Sequence, residues 1–109
     1  MTYVFDIDGT ICNSVDGDYE NAQPIQSRIK KINSLYDDGS IIIFHTARGM
    51  GRHKNKSKLA FEDFYSMTNN QLTSWGVKFH NLFMGKPSGD FYIDDKAMKD
   101  SNFFNDIER

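Results

Sequence analysis

The sequence predicts an α/β fold with three layers around a small, mainly parallel sheet. Two observations carry this. Four short apolar runs are each followed at once by a polar cluster. Between three of them lie stretches with helical periodicity. The runs are YVF (3–5), IIIF (41–44), NLFM (81–84) and FYI (91–93). They are rich in Ile, Val, Phe and Tyr and show no clear alternation, the pattern of strands buried on both faces.

The elements follow in order. The first strand runs into Asp6. Pro24 then opens PIQSRIKKINSLYDDG, with Ile25, Ile29, Ile32, Leu35 and Tyr36 on one helical face and Gly39 as the stop. The IIIF strand runs into His45 and Thr46. A second helix is expected over about 59–75, with Leu59, Phe64, Leu72 and Trp75 as its apolar positions and Gly76 ending it. NLFM runs into Gly85 and Lys86, and FYI into Asp94 and Asp95. The stretch DSNFFNDIER can form a short third helix. Strand–helix alternation implies right-handed crossovers and a Rossmann-like arrangement. At 109 residues the chain is expected to be one domain, 1–109.

Composition excludes several classes. A net charge of −2 argues against a general nucleic-acid or membrane-surface binder. Cys12 is the single cysteine, so no intrachain disulfide exists, which fits a reducing cytoplasm. The N-terminal stretch MTYVFDIDG lacks a basic region and a long apolar run, so no signal peptide is expected. The longest purely apolar run, IIIF, is far short of a membrane span.

Ligands of open parallel α/β sheets bind beyond the carboxyl ends of the strands. Asp6, Thr46, Lys86 and Asp94 each follow an expected strand, so the fold should gather them at one edge, with Asp8 and Asp95 beside them. Crowded carboxylates raise one another's pKa, and a hard divalent cation with oxygen ligands relieves this, which points to Mg²⁺. Lys86 and Thr46 then supply a cation and a hydroxyl for phosphate oxygens. Carboxylates at i and i+2 can divide the work. One attacks phosphorus, and the other protonates the leaving alcohol and later activates water.

These residues carry a resemblance. FDIDGT resembles the first motif of the haloacid dehalogenase superfamily of phosphatases. Thr46 in IIIFHTAR, Lys86 in MGKP and the acidic pair in FYIDDKA are similar to its second, third and fourth motifs, in the family's order. The resemblance implies Asp6 as nucleophile and Asp8 as general acid/base. It implies Mg²⁺ held by the Asp6 side chain, the Asp8 carbonyl and Asp94, with Asp95 acting through water. Gly9, Thr10, Ala47 and Arg48, beside the first two motifs, are the candidates for holding substrate. Only 37 residues separate Asp8 from Thr46, and 39 separate Thr46 from Lys86, so neither gap holds the cap domain of larger relatives. HTAR and GKP…DFYIDDKA look most like capless phosphatases of capsule and surface-polysaccharide synthesis.

Plainer readings stand beside these. DxD alone reads equally well as a solvated turn; three matching strand-end motifs decide against that. Asp95 can be an N-cap. The run RGMGRHKNKSK (48–58) is either a solvated face or a mobile basic loop gripping an anionic substrate. His45, His53 and His80 lack metal-ligand spacing. Cys12 has no evident His to activate it and reads as structural. The loop 13–23 reads as a flap over the pocket. The expected function is hydrolysis of a small phosphorylated metabolite, a sugar or polyol phosphate, by a cytoplasmic enzyme that forms a homo-oligomer. The alternatives are a nucleotide or polynucleotide end phosphatase and a receiver-like phospho-aspartate domain. The second is disfavoured because Lys86 precedes the second acidic pair.

Overall fold

A computed structural model of the chain describes residues 1–108. Its sheet has three parallel strands, β1 (Thr2–Phe5), β4 (Ile41–His45) and β5 (Asn81–Phe83), in the order β1-β4-β5. A two-residue hairpin, β2 (Cys12–Asn13) with β3 (Gln23–Pro24), closes the base of the 14–22 loop. The helices are α1 (Gln26–Asp37), α2 (Ser57–Ser74) and the single turn α3 (Asp100–Phe103). The α/β class, the small parallel sheet and the lack of a cap domain are as expected.

Register explains the core. Tyr3 pairs with Ile42, and Phe5, Phe44 and Leu82 lie across from one another. All five point to one face, where Ile29 and Ile32 of α1, Leu72 of α2 and Phe104 pack on them. The opposite face is barer than expected. Val4 is 62% exposed and Phe83 53%. Both crossovers step the same way across the sheet, and right-handed connections of that kind lay their helices on the same side.

Both long helices end as the glycines foretell. Gly39 and Gly76 adopt φ of 97° and 77°. In each case the following N–H donates back to the helix, from Ser40 to Leu35 and from Val77 to Leu72. This closes a Schellman motif. Helix starts are less legible. Pro24 sits in β3, and α1 begins only at Gln26. The α2 helix begins at Ser57, two residues before Leu59.

One element is corrected. FYI (91–93) forms no strand, and Phe91 and Ile93 are 86% and 96% exposed. Local bonds compete with a ladder here. The Tyr92 hydroxyl donates to the Pro87 carbonyl (2.6 Å) and accepts from the Gly89 N–H, while Asp94 accepts from the Lys96 N–H. The outer edge of β1 therefore carries no strand partner among the described residues.

The C-terminal segment is tied to the first loop by one side chain. Arg28, buried in α1, donates twice to Glu108 (2.7 and 2.8 Å), to Asp100 (2.7 Å) and to the Thr10 carbonyl (3.0 Å), and lies over the Phe104 ring. Its hydrogen bonds hold the Asp100 and Glu108 carboxyls below their ordinary range. Groups lowered in this way add stability above their unfolded pKa and lose it as pH falls through the folded one. We expect Arg28→Met to cost about 1–3 kcal/mol in urea unfolding at neutral pH. Its deficit against the wild type should shrink as pH drops below the carboxylate range. A deficit independent of pH would show that Arg28 acts through Phe104 and Thr10 alone.

Candidate active site

The three parallel strands deliver their following residues to one edge. Asp6 follows β1 and Thr46 follows β4. The Thr46 N–H donates to the Phe83 carbonyl (3.0 Å) and the Lys86 N–H to the Thr46 carbonyl (3.1 Å), so backbone bonds carry Thr46 and Lys86 together past the strand ends. After Asp6 the chain turns at once. The Ile7 carbonyl accepts from the N–H groups of Thr10 and Ile11, and the Gly9 N–H donates to Cys12. Gly9 takes φ of 81°, open to glycine at little cost. Ile7 is fully buried, which turns its neighbours Asp6 and Asp8 outward into the same cavity.

That cavity, of about 390 Å³, is lined by Asp6, Asp8, Thr46, Ala47, Arg48 and Lys86. Ser14, Asp16, Gly17 and Tyr19 of the hairpin loop form one wall. Gly51, Arg52, Ser88 and Tyr92 form another. Gly9 and Thr10 do not line it; their turn faces Arg28, which holds the Thr10 carbonyl. Asp94 and Asp95 also lie outside, exposed on the segment that forms no strand.

Asp6 and Asp8 each face a cation. Lys86 Nζ lies 3.7 Å from Asp6 Oδ1 and 4.3 Å from the centre of the Tyr92 ring. Burial raises the Asp6 pKa, and Lys86 and the Ile7 N–H oppose that rise without cancelling it. Burial, reinforced by Lys86, lowers the pKa of His45.

Asp8 is held more tightly. Arg48 Nε donates to Oδ2 (2.8 Å) and Arg48 Nη2 to Oδ1 (3.0 Å), a bidentate pair. The Arg48 side chain has no exposed surface. Its remaining Nη1 donates to Gln71 Oε1 (2.7 Å) and Thr68 Oγ1 (3.2 Å), and its plane lies over the Tyr19 ring. Arg48 therefore faces the protein and not a mobile basic loop. Its own N–H donates to Thr46 Oγ1 (3.1 Å). Gly49 makes the inward turn possible. It has φ of 79°, and a Cβ there would stand 2.6 Å from the Phe64 ring. Arg52, four residues on, stays at the mouth over the other aromatic contact, the Phe64 ring. Cys12 Sγ donates to Asp8 Oδ1 (3.4 Å), and burial pushes its thiol up to about 12, so it is inert as a nucleophile.

Tyr19 and Gln71 were not legible as site residues. Neither belongs to a strand-end motif, and a Gln in the last turn of a helix gives no signal of what it faces. The metal expectation meets an incomplete donor set. Asp6 and Asp8 converge, but no group of three acidic, His or Cys side chains able to hold an ion comes together among the described residues.

No protein-family model and no curated protein matches the chain. Among solved structures, it is similar to a structural-genomics target from Vibrio cholerae. The two are 27% identical, with a TM-score of 0.86, over 94% of this chain and 85% of that one. No described helix is long and apolar enough to cross a membrane.

The raised pKa of Asp6 has a measurable consequence. The folded chain binds this proton more tightly than the unfolded one, so ionised Asp6 costs stability. The cost is absent in acid and grows as pH rises through the folded pKa. Asp6→Asn should therefore melt above the wild type at neutral pH, with the gap closing towards about pH 3. Lys86 loses its partner in this variant, but burial is the larger influence on Asp6. A lower melting temperature for Asp6→Asn at neutral pH would mean that the Lys86 contact outweighs burial.

Proposed function

We propose that the protein is a phosphomonoester hydrolase working through an aspartyl-phosphate intermediate. The observation that carries this reading is the lining of one small cavity by Asp6, Asp8, Thr46 and Lys86, the first three motifs of the resemblance. Asp6 Oδ attacks phosphorus, forming an O–P bond while the bond to the leaving alcohol breaks. Asp8 gives its proton to that alkoxide. Asp8 then takes a proton from water, which attacks phosphorus and expels the Asp6 carboxylate with inorganic phosphate as product. Lys86 and the Thr46 hydroxyl bind the phosphoryl oxygens. The cavity suits a small phosphorylated metabolite, and a sugar or polyol phosphate of surface-polysaccharide synthesis is the class we favour.

Mg²⁺ belongs to the proposal, following the resemblance and the clustering of carboxylates. We expect hydrolysis of an aryl phosphate to stop in excess chelator and return with Mg²⁺; full activity in chelator would remove the metal from the proposal. The two carboxylates should separate by mass spectrometry. After mixing with an acyl phosphate, Asp8→Asn should carry a phosphate adduct, because a good leaving group needs little protonation. It should lose that adduct roughly 10²–10⁴-fold more slowly than the wild type. Asp6→Asn should carry none, and the reverse pattern would exchange the two roles.

A further inference from the structure

We infer that Arg48 is a positioning residue that holds Asp8 for proton transfer, and that Gln71 ties this hold to the seating of the 14–22 flap. The inference rests on the hydrolase reading above. A buried guanidinium paired with a carboxylate is ordinarily a structural device. Three observations set this one apart.

First, the partner carboxylate lines the reactive cavity, and its side chain is 24% exposed, whereas the guanidinium is fully enclosed. Arg48 thus reaches the chemistry through Asp8 and not by touching substrate. Second, the pair is bidentate, which fixes the plane of the carboxylate as well as its distance. Each carboxylate oxygen has two acceptor sites; the fork occupies one on each and Cys12 Sγ the second on Oδ1, so Oδ2 keeps a site for the reacting oxygen. Third, the fork does not end at Asp8. Gln71 accepts from Arg48 Nη1 (2.7 Å) and, through Nε2, donates to the Tyr19 carbonyl (2.7 Å). Tyr19 lies in the flap and also presents its ring to the guanidinium, 4.9 Å away. The loop that walls the cavity and the carboxylate assigned to proton transfer therefore share one side chain, Arg48.

Proton donation matters most when the leaving group is poor. A loosened Asp8 should therefore slow an alkyl phosphate far more than an aryl phosphate. General loss of folding, or of phosphate binding, would slow both alike. Lysine keeps the charge of Arg48 but cannot span both oxygens. We expect Arg48→Lys to lower turnover of an alkyl phosphate by about 10²-fold and of an aryl phosphate by less than about tenfold. Gln71→Met should give a smaller loss, about threefold to tenfold, with the same leaving-group bias. In an Asp8→Asn background, adding Arg48→Lys should change neither rate, because the residue it positions is already disabled.

Equal losses on both substrates, or an undiminished further loss in the Asp8→Asn background, would overturn the inference and leave the hydrolase reading standing. Failure of the wild type to turn over either phosphate would overturn both. If thermal unfolding shows Arg48→Lys to be unfolded, Gln71→Met carries the comparison by itself. An unbiased loss in that variant is then the overturning result.

Discussion

A guanidinium with no exposed surface has to find compensation inside the protein, because an uncompensated buried charge costs several kcal/mol or more. Arg48 is in that position. Asp8 satisfies it on one side, Thr68 and Gln71 on another, and the Tyr19 ring covers its plane. These four residues come from the first loop, the flap and α2. One buried cation therefore sets how three separate segments meet at the end of the sheet. Gly49 is part of the same constraint, because a Cβ there would stand against the Phe64 ring as the chain turns Arg48 inward.

Asp6 and Asp8 have been given different surroundings in the cavity. Asp8 takes two short bonds from a buried cation. Asp6 has looser contacts, the 3.7 Å approach of Lys86 and the Ile7 N–H, and is penalised by burial. A carboxylate held loosely in a site that disfavours its charge is a better attacking group than one locked in a fork. A carboxylate whose plane is fixed is better placed to exchange a proton along a set direction. The difference in environment parallels the division of labour proposed for them.

The far side of the same loop is secured by a second arginine. Arg28 holds the Thr10 carbonyl from below while drawing Asp100 and Glu108 onto α1. The C-terminal segment thereby packs Phe103 and Phe104 against Tyr3 and Phe5, the strand that leads into Asp6. Support for the loop comes from residues more than seventy positions away in the chain.

The sequence by itself determined the strand ends. A short apolar run must stop where its polar residues start, and a parallel sheet must place those stops at one edge, so Asp6, Thr46 and Lys86 were legible from their positions. Helix ends were legible too, because Gly39 and Gly76 meet a backbone requirement that other residues satisfy poorly. The fourth run was misread. FYI has strand composition, yet Tyr92 and Asp94 find hydrogen bonds within a few residues, and pattern alone cannot weigh those against a distant edge. Only the tertiary structure decided where Arg48 points. In the sequence it opens a basic run and reads as a substrate grip. Its partners lie 20 to 40 positions away, and no local rule says which of several neighbouring cations will turn inward. That choice depends on which carboxylate, amide and ring the folded segments place around it.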